Sequence, residues 1–127
     1  MTQLIAVYGT LKRGGSNSRV MERDGGKFLA EGTTQRKFTM FGGWGFPRVI
    51  WTGAPRSHIH CEVFEVDSLD NMDSLEGHPS FFCRRQVTVD LVDSTVEAWM
   101  YFHPHINESE GLAIQTDGKW LEHGYED

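Results

Sequence analysis

Val7-Tyr8-Gly9-Thr10-Leu11-Lys12-Arg13-Gly14 follows the apolar run from Leu4 to Val7 and reads as the end of a first strand, residues 3–8, leaving through a glycine turn. Glycine at position 9 allows positive φ and lets a ligand approach the backbone closely. Successive N–H groups in such a turn form a concave anion site, to which Thr10 adds a hydroxyl donor. The same residues also fit an ordinary tight turn, so a second stretch has to decide between the two readings.

Leu69-Asp-Asn-Met-Asp-Ser-Leu-Glu-Gly-His-Pro79 is that stretch. Asp67 or Ser68 caps a short helix, and Asp70 falls in its first turn, where a carboxylate suits the positive end of the helix dipole. Leu69, Met72 and Leu75 form an apolar stripe that must pack on something. Gly77 and Pro79 end the helix. Glu76 therefore stands at the negative end of the dipole, which disfavours its anion and raises its pKa, as any burial would. A carboxyl group so tuned can take and return a proton near neutral pH. Taken alone, Glu76 equally fits a solvated carboxylate at a helix end.

Together the two stretches resemble the γ-glutamylcyclotransferase-like family, which includes γ-glutamylamine cyclotransferases. The resemblance runs from Leu4 to Trp120 and includes Gly14, Asn17, Phe46-Pro47, Glu62-Val-Phe-Glu-Val66, Phe82-x-Arg84 and Gly118-Lys119-Trp120. It implies an α+β fold, a small mixed β-barrel with a few short helices, formed by one domain over residues 1–127. It implies an enzyme that cyclises a γ-glutamyl group to 5-oxoproline and releases the attached amine, with Glu76 as general acid and base. The backbone donors of Tyr8, Gly9, Thr10 and Leu11 would hold the substrate's α-carboxylate. Because the nucleophile belongs to the substrate, the resemblance calls for no cofactor and no metal. Cys61 stands where the family commonly has glycine, and Phe82 replaces a usual tyrosine, which bears on rate or substrate choice. A non-catalytic small-molecule binding module, or an interaction protein on the same fold, stays open, as do the leaving amine and the oligomeric state.

The totals fit that reading. With 127 residues, 39% apolar and 24% charged, the chain has the composition of one globular domain able to bury a core. A net charge of −6 argues against nucleic acid and against an anionic membrane surface as partners. Cys61 and Cys83 lie in strand-like segments and are expected reduced. No run approaches membrane-spanning length and no basic-then-apolar leader opens the chain, so a soluble cytoplasmic protein is expected.

Elsewhere, Ser16 or Asn17 caps a helix through Met21 that Asp24-Gly25-Gly26 breaks. Residues 28–30 and 37–41 read as two strands parted by a turn or bulge at Glu31-Gly32. The loop Gly42–Pro47 and the following turn bring Trp44 and Trp51, which serve either as ligand walls or as packing over a barrel end. Ile59–Val66 is a strand with Ile59, Cys61 and Val63 on one face. Phe81–Val92 and Thr95–His103 form a hairpin around Asp93-Ser94. Arg84 and Arg85 point to opposite faces, one paired and the other solvated. The pairs His58-x-His60 and His103-x-His105 fit a metal site by spacing, but solvent-facing strand histidines account for them equally. Residues 104–127 read as a strand or extended segment and a loose tail.

Overall fold

The computed structural model describes residues 2–42, 46–52, 54–103, 113–114 and 118–120, so Trp44, His105 and most of the stretch 104–127 lie outside the described residues. The first strand, β1 (Gln3–Val7), owes its unbroken apolar run to burial on both faces. Ala6 joins a core cluster with Phe38, Val63 and Phe102, while Ile5 and Val7 join a second cluster with Met21, Leu69 and Met72 on the helices. One short strand thus separates the barrel interior from the layer beneath the helices.

After α1 (Ser18–Arg23), the chain enters β2 (Lys27–Gly42), a single strand of 16 residues. The two strands expected at 28–30 and 37–41 are therefore one, and of the turn or bulge expected at Glu31-Gly32 the turn is absent, with irregularities falling on either side of that pair. Register shifts between Phe28 and Ala30 and between Thr33 and Lys37 bend the strand without ending it. Gly32 lies between those two shifts, in regular register with Cys61, and a Cβ there would sit 2.7 Å from the Asp90 carbonyl oxygen and from Val89 Cγ1. The glycine admits a neighbouring backbone rather than reversing the chain.

β3 (Arg48–Ile50) pairs with the far end of β2, and β4 (Ser57–Val66) pairs antiparallel with both β1 and β2. On β4, Ile59, Cys61 and Val63 face the interior while His58 and His60 are exposed. Beyond α2 (Asp70–Glu76), β5 (Cys83–Asp90) and β6 (Thr95–Phe102) form an antiparallel hairpin, and β6 runs parallel to β1. Thr33 pairs with Asp90 and Thr34 with Val89, closing the ring β2-β4-β1-β6-β5. β7 (Ala113–Ile114) adds to the edge of β2 at Phe41. Five strands, mixed in direction, thus make a closed β-barrel with two short helices among the described residues, which is the architecture the resemblance implied.

The start of α2 decides where Glu76 stands. The N-cap position falls to Leu69, not to Asp67 or Ser68 as expected, although Ser68 Oγ accepts the Asp70 N–H at 2.9 Å. The next N–H groups, of Asn71 and Met72, donate to the carboxylate of Asp24 at 3.2 and 2.9 Å. Asp24 is buried just past α1, and its own carbonyl accepts the Asp67 N–H. Met72 and Leu69 pack fully into the second cluster, and burying a side chain such as Met72 stabilises by about 1.5–3 kcal/mol. Leu75 departs from the expected stripe: it is 43% exposed and lies at the mouth of a cavity.

Candidate active site

Where β1 ends, the chain folds into a compact loop held by its own backbone. Lys12 N–H donates to the Gly9 carbonyl at 3.1 Å, and Asn17 N–H to the Thr10 carbonyl at 2.9 Å. Asn17 occupies the N-cap position of α1, yet its side chain makes no capping bond there. Its Nδ2 donates instead to Thr10 Oγ1 at 2.9 Å. A threonine hydroxyl that accepts from Asn17 keeps its own proton for a further acceptor. The N–H groups of Thr10 and Leu11 donate to no acceptor among the described residues. Gly9 does not take positive φ; its role is close approach, since a Cβ there would lie 3.0 Å from Cδ and Cγ of Pro47.

Opposite this loop, α2 stops at Glu76 because Gly77 adopts the left-handed conformation, φ 68°. The chain then folds back, with Phe81 N–H on the Gly77 carbonyl at 2.8 Å and Phe82 N–H on the Glu76 carbonyl at 3.0 Å. That return sets two phenyl rings beside the carboxyl group, edge to face with one another. Between the loop and the helix end lies a cavity of about 390 Å³. Tyr8, Gly9, Thr10 and Leu11 line one side of it, and Glu76, Leu75 and Tyr101 another. Phe46, Pro47, Phe81 and Phe82 supply apolar walls, with Ser16 and Asn17 as polar additions. All five residues singled out from the sequence border this one space.

Burial raises the Glu76 carboxyl from its ordinary 4.5 to about 7. Burial is therefore the cause, where the sequence pointed first to the helix dipole. Burial also pushes the phenols of Tyr8 and Tyr101 well above their ordinary range, and the nearby Glu76 charge adds to both. Tyr8 Oη donates to the Tyr101 carbonyl at 2.7 Å, and Tyr101 Oη donates to Asp73 Oδ1 at 2.6 Å. Asp73 also receives Arg84 through Nε at 2.8 Å and Nη2 at 3.1 Å. Burial alone would raise the Asp73 carboxyl, but the bonds from Arg84 and Tyr101 outweigh it and hold the group below its ordinary value. Arg84, Asp73, Tyr101 and Tyr8 thereby join α2, β5, β6 and the loop after β1 into one frame around Glu76.

Tyr101 was not foreseen as part of the site, because its partner Asp73 is 28 residues away and its own strand carries no motif. Trp51, weighed as a ligand wall, packs on Phe38 and Phe102 with Arg36 and Arg85 guanidinium groups each 4.7 Å from its ring, and it does not line the cavity. His58 Nδ1 lies 2.8 Å from the Thr34 carbonyl oxygen, and no group of His, Cys, Asp and Glu fit to hold a metal occurs among the described residues. Phe82, which stands where the family usually has tyrosine, is buried, T-shaped to both Phe81 and His103, and lines the cavity.

Comparison with known proteins follows the same outline. The family model described as "Gamma-glutamyl cyclotransferase, AIG2-like" matches residues 5–122. A protein of Methanocaldococcus jannaschii, provisionally named a gamma-glutamylcyclotransferase, is 36% identical over 118 residues, covering 90% of this chain and 92% of its own. A Drosophila melanogaster protein with the same provisional name is 34% identical over 109 residues, covering 80% of this chain and 69% of its own. The crystal structure of an AIG2-like protein from Mus musculus superposes with a TM-score of 0.82 at 25% identity, covering 94% of this chain and 88% of that one.

Proposed function

The chain belongs to the gamma-glutamyl cyclotransferase, AIG2-like family, and on that premise we propose that it cyclises a γ-glutamyl amine, or a related amide, to 5-oxoproline with release of the amine. The observation that carries the proposal is Glu76, its pKa raised to about 7 by burial, facing the Tyr8–Leu11 loop across a cavity of substrate size.

In this reading the N–H groups of Thr10 and Leu11 and the Thr10 hydroxyl hold the α-carboxylate of the γ-glutamyl group. That fixes the α-amine within reach of the γ-carbonyl of the same molecule. Glu76 takes a proton from the α-ammonium, and the freed nitrogen attacks the γ-carbonyl carbon. A new C–N bond closes the five-membered ring, the bond to the leaving amine breaks with its electron pair going to the departing nitrogen, and Glu76 returns the proton to that nitrogen. The ring nitrogen sheds its second proton through the same carboxyl to the released amine, which departs as an ammonium, and the lactam N–H remains. A pKa near 7 suits both halves of that transfer. The free thiols of Cys61 and Cys83 fit a reducing, cytoplasmic setting.

The test is 5-oxoproline formation from γ-glutamyl amines, γ-glutamyl amino acids and γ-glutamyl-ε-lysine, run beside Glu76→Gln. Turnover by the parent that vanishes in a folded variant still able to bind supports the reading. Saturable binding with no product from any of them would replace it with a binding module on the same fold.

A further inference from the structure

The cavity separates into two chemically distinct parts. Around the loop after β1 it offers donors, from Thr10, Leu11 and Asn17. Toward solvent its wall changes to Leu75 and Phe81, which are 43% and 45% exposed. Large apolar side chains left half in water beside a cavity are where an apolar ligand gains most by binding.

Charge narrows the ligand further. All twelve Lys and Arg of the chain lie among the described residues, and none of them lines this cavity. The nearest to its walls, Arg48, is buried, with its guanidinium 4.6 Å from the Phe46 ring and 6.0 Å from that of Phe81. It backs those rings without reaching the cavity surface. A carboxylate carried into the mouth would lose water and gain no lysine or arginine in exchange, a net cost.

We propose that the amine released by this protein bears an apolar alkyl or arylalkyl chain and no carboxylate, with Leu75 and Phe81 setting that preference. The inference rests on the cyclisation reading above, whose bond changes it leaves as they stand. The γ-glutamyl end lies in the donor-rich part, and the amine chain leaves between Leu75 and Phe81.

The test compares γ-glutamyl-phenethylamine and γ-glutamyl-hexylamine with γ-glutamyl-ε-lysine and γ-glutamyl-valine, reading kcat/KM by 5-oxoproline release. The apolar amides are expected to exceed the other two on the order of tenfold or more, the scale of one buried hydrophobic group. Leu75→Lys, at a half-exposed position, should shrink the phenethylamine-to-valine ratio severalfold by supplying a cation, and Phe81→Arg should act likewise from the other side of the mouth. Equal or reversed ranking in the parent overturns the proposal while leaving cyclisation intact. So does a ratio unchanged in both folded variants. If no amide yields product, the cyclisation reading fails, and calorimetric titration of the intact amides still reads the cavity. Tighter binding of the apolar pair then upholds the preference, and equal binding overturns it.

Discussion

The carboxylate of Asp24 accepts the backbone N–H of Met72 at 2.9 Å across 48 positions of sequence, so the helix that ends in Glu76 begins on the C-cap residue of the previous helix. It also accepts Asn71 N–H and Asn71 Nδ2, at 3.2 and 2.8 Å. Asp24→Ala removes three acceptor contacts from a buried site and leaves N–H groups unpaired. The expected loss is about 2–4 kcal/mol of stability, with a smaller loss for Asp24→Asn. Urea denaturation of the three proteins checks this, and a change within about 0.5 kcal/mol for the alanine variant would mean that α2 is held by its apolar face alone.

Glu76→Gln should stabilise the protein above neutral pH. A carboxyl raised from 4.5 to about 7 contributes stability that is fully present below 4.5 and is lost as pH climbs through 7. Glutamine does not titrate, so the variant should match the parent near pH 4.5 and exceed it at pH 8 by up to about 3 kcal/mol. Denaturation at pH 5 and pH 8 measures the difference, and an equal gap at both values would count against a buried, raised carboxyl.

The same ionisation should appear in catalysis. Glu76 begins the proposed reaction as a base and must be unprotonated, so kcat/KM should fall about tenfold per pH unit on the acid side of an apparent pKa near 7. A rate profile between pH 5 and pH 9 on one γ-glutamyl amide reads it. A limb near 4.5 would place Glu76 in water during the reaction and remove the rationale for its role.

Much of this was legible in the sequence for local reasons. The alternation of Ile59, Cys61 and Val63 follows from a strand with one face in the barrel, and the stop at Gly77 from a left-handed residue. What failed was long-range. Glu31-Gly32 read as a turn or bulge because glycine marks turns, bulges and close approaches alike, and only the pairing of Thr33 with Asp90 tells them apart. Asp24 read as a helix breaker, since nothing near it reveals that its carboxylate caps a helix further along. The five residues around the cavity were found through two short motifs. Tyr101, Leu75 and Phe81 were not, because their place in the site depends on how α2 and its return loop dock against β6.

Arg84 tests the frame around Glu76. Its bidentate bond to Asp73 is partly buried, and with Tyr101 it keeps that carboxyl ionised. Arg84→Gln should cost about 1–3 kcal/mol at pH 7. A depressed carboxyl stabilises above its unfolded pKa and ceases to do so as pH falls through the folded one. The gap between parent and variant should therefore narrow toward pH 3, and thermal melts across that range should show it. A gap independent of pH would assign the loss to packing of Arg84 over Trp99, 4.5 Å from its ring, rather than to the ion pair.

Gly9→Ala separates the two uses of glycine in the first turn. The residue lacks positive φ, so alanine meets no backbone strain there, and a mutant blocked by conformation is not expected. Its Cβ would instead sit 3.0 Å from two carbons of Pro47, tighter than ordinary contact, so the proline and the wall it forms must yield by a few tenths of an ångström. Both residues line the cavity. The cost should therefore appear mainly as substrate affinity: a KM raised severalfold with a smaller change in kcat, and stability lowered by about 1 kcal/mol as for mild overpacking. Pro47→Ala in the same chain removes the ring that the new methyl meets, and should restore much of the lost KM if steric pressure is the cause. A KM that stays high in the double variant would show instead that Gly9 serves the ligand directly, through the space a Cβ denies it.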